Sequence, residues 1–185
     1  MNGNCHFIYG AAWGSMAALN LDKLNAYLPN ITNTPETACL FVLGGLIGGI
    51  FPDMDNPTSH MGKLSVPVST FIATIGGFMG KKGAYHRGIM HDPLIYAVGL
   101  LLSYLYFPPL LGFFVGCMSH VFLDMFNPVG VPFMLGAKHL HMAKIKSGSK
   151  ESVLLTWVLV VIVLVAGFTV KFGFPTETVN KLYGY

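Results

Sequence analysis

Between Ser152 and Val170 the chain runs nineteen residues without a charged side chain. A stretch of that length and polarity meets the requirement for a helix crossing a bilayer, ~20 residues with a lower limit near 17. In lipid only helices and closed barrels satisfy their backbone polar groups internally, so this one stretch restricts the whole fold. The rest of the chain is consistent with it. Eleven Lys or Arg and eight Asp or Glu make up 10% of 185 residues, against about 25% in soluble domains. So few charges cannot cover a globular surface of this size, and a mean hydropathy of +0.59 excludes a disordered chain as well. The expected class is all-α: one helical integral membrane domain over residues 1–185.

Four further apolar segments join the first: Phe7 to Leu19, Thr37 to Pro52, Leu94 to Phe107 and Leu110 to Phe126, the last two parted by Pro108-Pro109, a hairpin break. Five spans are expected in all. A sixth segment, Leu64 to Gly80, is interrupted by Pro67 and Gly76-Gly77. Lys63, Lys81, Lys82 and Arg87 flank it on both sides, and Lys138, Lys144, Lys146 and Lys150 precede the last span. Cytoplasmic loops collect Lys and Arg, so both clusters belong to the cytoplasmic face. The sixth segment is then re-entrant or interfacial, the N-terminus is cytoplasmic, and the five spans alternate. The run GGLIGG at 44–49 lets helix backbones approach closely.

Net charge is only +3, and Arg87 is the sole arginine; no nucleic-acid partner is expected, whereas membrane lipid is. Cys5, Cys39 and Cys117 have neither disulfide-framework nor zinc-knuckle spacing and read as small apolar fillers. Met1-Asn2-Gly3-Asn4 lacks a cationic start, so no cleaved leader is expected.

Seven histidines in so apolar a chain are unusual. On the expected topology His6 opens span one at its cytoplasmic end. Asp53 and Asp55 follow Pro52 at the cytoplasmic end of span two. His86 and His91 precede span three, and His120 and Asp124 end span four, again on the cytoplasmic side. Four distant stretches thus deliver His or Asp to one level of one face, and lysines alone set the topology. His120 and Asp124 are spaced i, i+4 and share a helix face. Ionisable residues at membrane depth are costly and point to function. Carboxylates beside a helix C-terminus are unfavourable unless a cation is near. His60, His139 and His141 read as ordinary interfacial residues. The set His6, Asp53, Asp55, His86, His91, His120 and Asp124 therefore reads as a metal cluster. Imidazole and carboxylate without thiolate suit Zn²⁺, with Mn²⁺, Fe²⁺ or Ni²⁺ as alternatives. Two ions, or one ion with outer hydrogen-bonding partners, are both open. A metal pair would activate water and clamp an in-line displacement at phosphorus.

The ordered combination of His6, LIGGIFPDMDNPTS (46–59), HRGIMHDPL (86–94) and GCMSHVFLDMFNPVGVP (116–132) resembles the YdjM-type family. These are bacterial inner-membrane proteins described as LexA-regulated, membrane-bound, metal-dependent hydrolases. The resemblance covers about residues 1–135. It implies a multi-pass inner-membrane protein in which the seven residues above are metal ligands. A more distant similarity links the His, Asp, His and HxxxD order to the zinc-dependent phospholipase C and single-strand nuclease superfamily, which uses three zinc ions; the expected count here is one to three. The chain departs from the family pattern at Asn56, where His is frequent, and at Asp92-Pro93, where Ser follows the histidine.

The expectation is a metal-dependent hydrolase acting on a phosphoester of a lipid or other amphiphile. Arg87 is the candidate for gripping a phosphate oxygen with its planar fork. Asp55 and Asp92 are candidates for the general base. Two rivals stand beside it. A metal-free phosphatidic-acid-phosphatase type would use Ser119-His120 and Asp124, but the Arg, KxxxxxxRP and PSGH elements of that motif set are missing from the sequence. A metal-binding or metal-transport protein without catalysis would use the same ligands, although spans three and five carry few polar residues for a transport path.

Overall fold

Why the helices begin and end where they do is largely a matter of caps and prolines. A computed structural model describes residues 2–28, 31–56, 59–64, 67, 70, 89–134 and 138–173. Helix α1 (Gly3–Leu19) starts on Asn2, whose side chain accepts from the Asn4 amide. The short α2 (Leu21–Tyr27) follows at once. Helix α3 (Pro35–Ile50) is capped by Thr34, with Pro35 in its first turn; Pro suits that position because it has no N–H to leave unpaired. A 3-10 turn, Phe51–Asp55, extends α3, and α4 (His60–Leu64) comes next. Another 3-10 turn, Ile89–His91, leads to α5 (Pro93–Tyr106), capped by Asp92. Pro108–Leu110 turns the chain into α6 (Leu111–Asp124). Strands β1 (Val131–Phe133) and β2 (Lys138–Leu140) form an antiparallel hairpin, Val131 opposite Leu140. Helix α7 (Lys150–Phe172) starts on Ser149 and stops at Gly173, whose φ is 78°.

Helix α3 is the centre of the bundle, and glycine puts it there. Its Gly45 and Gly49 face Gly10 and Gly14 of α1, while Gly44 and Gly48 face Gly112, Phe113 and Gly116 of α6. The doubled pair in GGLIGG therefore supplies two small-residue faces to two neighbours. A Cβ on Gly49 would lie 2.6 Å from the His6 carbonyl oxygen, backbone that cannot swing away. Gly49→Ala is accordingly expected to lower stability by about 1–3 kcal/mol, the usual cost of overpacking, read by thermal unfolding in detergent. Helix α7 lies along α1, where the Asn20 amide donates to the Gly167 carbonyl at 3.1 Å and Leu123, Val160 and Val163 pack on Tyr9. Helix α5 packs on α6, with Gly99 against the Phe114 ring.

Two helical stretches, Pro35–Asp55 and Lys150–Phe172, are long and apolar enough to cross a membrane, with mean hydropathy 1.6 and 2.8. Helices α5 and α6 are 14 residues each. Their outward faces are apolar: Leu101, Leu105 and Phe107 of α5 are exposed, as are Leu154, Trp157 and Ile162 of α7.

The structure refines the sequence-based outline in three places. The fold is mostly helical, with one short β1–β2 hairpin beside the helices; strands of three residues are too short to carry an alternating pattern. The stretch between spans one and two contains α2, whose Leu21 and partly buried Leu24 pack with Phe41 and Ile31. Span one begins four residues earlier than expected, at Gly3, so His6 is a helix residue. Cys5 and Cys117 are buried fillers, whereas Cys39 is exposed. Most of the sixth segment, Leu64 to Gly80, lies outside the described residues.

Candidate metal centre

The glycine contacts fix more than packing. They bring the start of α1, the end of α3 and the end of α6 together, and the chain places His6, Asp53 and the His120–Asp124 pair at those ends. His91 enters from the turn before α5, tied down by the Tyr96 hydroxyl, which donates to the Met90 carbonyl at 2.5 Å. The turn bearing Asp53 is held by Ser59, whose hydroxyl donates to the Asp53 carbonyl at 2.6 Å.

The donor atoms converge. His91 Nε2 lies 3.3 Å from His120 Nε2. Asp53 Oδ1 is 3.5 Å from His91 Nε2 and 3.7 Å from His120 Nε2. Asp124 Oδ2 is 3.7 Å from His91 Nε2 and 4.0 Å from His120 Nε2, while its Oδ1 is 3.3 Å from His6 Nε2. The His6 and His120 rings stack at 3.7 Å. His6, His91, His120 and Asp124 are each at most 2% exposed; Asp53, with its side chain 17% exposed, is the one nearest solvent.

A hydrogen bond sets the tautomer of His120. His120 Nδ1 lies 2.7 Å from the Gly49 carbonyl. A carbonyl only accepts, so Nδ1 carries the proton and Nε2 turns its lone pair toward the cluster. His91 presents Nδ1 to Asp55 Oδ2 at 3.5 Å, on the far side of the ring from its cluster-facing nitrogen. Burial alone would lower the pKa of His91, but the adjacent Asp53 and Asp55 carboxylates outweigh it and raise the ring from 6.5 to about 9.

These residues fit a divalent ion. Ligands held ~2.0–2.2 Å from zinc sit roughly 3.3–3.6 Å apart at tetrahedral angles, close to the separations above. Two groups have donor atoms all within 4.8 Å of one another: His6, His120 and Asp124; and Asp53, His91 and His120. His6 Nδ1 is buried without a hydrogen-bond partner among the described residues, while its Nε2 faces Asp124 Oδ1.

Five of the seven expected ligands are thus brought together: His6, Asp53, His91, His120 and Asp124. Asp55 belongs to neither donor group and lies 3.5 Å from His91 Nδ1. His86 lies outside the described residues, and so does Arg87. Asp92, a candidate base, is buried and its carboxylate accepts from the Leu94 amide at 3.0 Å as the cap of α5. Asp92→Ala is expected to cost about 1 kcal/mol of stability, as lost caps do, and Asp92→Asn much less, both read by thermal unfolding. His139 and His141 face each other on the hairpin and belong to neither donor group. One participant escaped the sequence reading: the Asn127 amide donates to Asp124 Oδ1 at 2.8 Å, fully inside the protein. Its position three residues after Asp124, ahead of Pro128, was the available signal.

A mostly helical bundle with two membrane-length apolar helices and buried His/Asp groups that could hold a metal ion defines a class, the helical membrane protein with a candidate metal centre. Within it the chain belongs to the family of the YdjM inner membrane protein, matched over residues 1–174. It is 32% identical over 93 residues to Inner membrane protein YdjM of Escherichia coli (strain K12), and equally to the Shigella flexneri protein of that name. That stretch covers 46% of this chain and 43% of each relative, so the chain matches less than half the length of these relatives. No solved structure matches the chain. Its location is the inner membrane.

Proposed function

We propose that this protein is a metal-dependent hydrolase of the cytoplasmic membrane face, acting on a phosphoester of a lipid or other amphiphile. One observation carries the reading. Side chains from four separate stretches, His6, Asp53, His91 and the His120–Asp124 pair, meet within 4 Å contacts inside an apolar bundle, where uncompensated carboxylates are expensive. On this reading α1, α3, α5, α6 and α7 are the five spans. Their alternation puts the cluster on the side of Lys138, Lys144, Lys146 and Lys150, and the N-terminus in the cytoplasm.

A divalent ion bound there, zinc being best suited to imidazole and carboxylate, would activate water and stabilise charge developing on a phosphoryl oxygen. The chain's own residues supply the rest. His91 and His120 offer lone pairs whose direction Asp55 and the Gly49 carbonyl fix. Asp124 is held by Asn127 and His6. Asp53 is the cluster residue that solvent reaches. Arg87, adjacent to His86 in sequence, is proposed to grip a phosphate oxygen.

The depth of burial favours a second reading, metal binding or transport without turnover, since closed sites are typical of structural metals. The test is a phospholipid and phosphoester screen with detergent-purified protein. Hydrolysis that chelator abolishes and zinc restores is expected. Robust chelator-resistant turnover would sink the mechanism, and ion flux in proteoliposomes with no hydrolysis would favour the second reading.

A further inference from the structure

The two donor groups share one residue. His120 belongs both to the set with His6 and Asp124 and to the set with Asp53 and His91. An imidazole can bridge two ions only by giving up both nitrogens, and His120 has already committed one: its Nδ1 donates to the Gly49 carbonyl at 2.7 Å, with the ring fully buried. A single lone pair, on Nε2, remains. His120 therefore serves one ion. Without it, His6 and Asp124 are left as a pair among the described residues, short of the three protein ligands that metal sites ordinarily need.

Asp124 shows which set retains His120. Its Oδ1 accepts from the Asn127 amide at 2.8 Å and lies 3.3 Å from His6 Nε2. Its Oδ2 faces the Nε2 atoms of His91 and His120. The carboxylate thus turns one oxygen to partners that hold it in place and the other to the two imidazoles that also meet Asp53. His6 lies flat against His120, its ring plane only 16° from parallel. Asp55 sits at the opposite nitrogen of His91 from that convergence point.

The geometry points to a mononuclear centre: one divalent ion held by His91 Nε2, His120 Nε2, Asp53 and Asp124, with His6 and Asp55 as positioning residues outside it. His6 orients Asp124 and backs the His120 ring. Asp55 orients His91 in the carboxylate–histidine–metal manner. This inference rests on the metal-binding reading above and replaces the open count of one to three ions with one.

The test counts ions on the full-length chain in detergent, loaded with Zn²⁺ or Co²⁺ alone and freed of excess. One ion per chain is expected, with a single Co²⁺ visible spectrum. His6→Gln and Asp55→Asn should each still bind one ion, with affinity reduced roughly 10–100-fold, as when a ligand's hydrogen-bond partner is lost, and with a shifted Co²⁺ band that a purely structural role would not produce. Two ions in the wild type, falling to one in His6→Gln, would overturn the mononuclear centre and leave the metal-binding reading intact. Stoichiometric loss of the ion in a folded Asp55→Asn protein would make Asp55 a ligand and overturn the assignment. A wild type that takes up no Zn²⁺ or Co²⁺ would overturn both readings together.

Discussion

Replacing His120 with alanine is expected to empty the protein of tightly bound divalent metal and to abolish any metal-dependent hydrolysis with it. His120 is the residue common to both donor groups, so its loss takes a ligand from any ion the cluster holds. The substitution has a second effect. The Gly49 carbonyl on α3 loses the Nδ1–H that reaches it from α6, and an unsatisfied buried acceptor costs about 1–3 kcal/mol. A fall in stability by itself would therefore not be diagnostic. The diagnostic quantity is the stabilisation that zinc confers. A ligand present at a thousandfold its dissociation constant stabilises the native state by about 4 kcal/mol, and that increment should be present in the wild type and missing from His120→Ala. Asp53→Ala should lose the increment too, without unpairing the Gly49 carbonyl. Metal analysis of the three proteins side by side decides the matter: equal content in all three would mean that the ion, if any, sits elsewhere.

Sequence alone gave away those parts of the centre that depend on residue identity and short spacing. The i, i+4 relation of His120 and Asp124 survives in α6. Pro52, Pro93 and Pro108 mark the ends of helices as the physics of the proline ring requires. GGLIGG, read as a packing run, proves to be two packing faces on one helix. What stayed hidden depends on direction. Asp53 and Asp55 are two apart and look equivalent, yet the 3-10 turn aims one at Nε2 of His91 and the other at Nδ1. The partner of His120 is a backbone carbonyl, and a backbone carbonyl leaves no mark on the residue that bears it. By residue type alone Asp92 reads as an available acid; Pro93 directly after it is the sequence mark of a helix start, with Asp92 as the cap. The ion pair of Asp22 with Lys171 at 2.7 Å joins residues too far apart in the chain for any pattern to announce.

Metal affinity is expected to rise roughly tenfold per pH unit between about pH 6.5 and 9, the increment that follows when binding displaces one proton. His91 is the source. In the metal-free protein its ring is held up to about 9 against burial by Asp53 and Asp55, so at neutral pH it is protonated, and a metal ion must displace that proton to use Nε2. Stability without metal should run the other way. A histidine whose folded pKa lies above its unfolded value of 6.5 adds stability that is complete below pH 6.5 and is lost as the pH climbs through 9. Ion-paired His91⁺ takes the place of the cation in the apo centre, balancing carboxylates that would otherwise be buried and uncompensated. Unfolding temperatures measured from pH 6.5 to 9 in detergent should therefore fall with pH in the presence of chelator and stay nearly level in the presence of zinc, where neither the metal-bound nor the unfolded His91 carries a proton, so that the gap between the two curves widens throughout. His91→Gln, which cannot bind that proton, should flatten the chelator curve. If wild-type curves with and without zinc run parallel, no proton is exchanged for the ion and His91 is not a ligand. A gap that narrows with pH would reverse the assignment of which form, protonated or metal-bound, the buried carboxylates prefer.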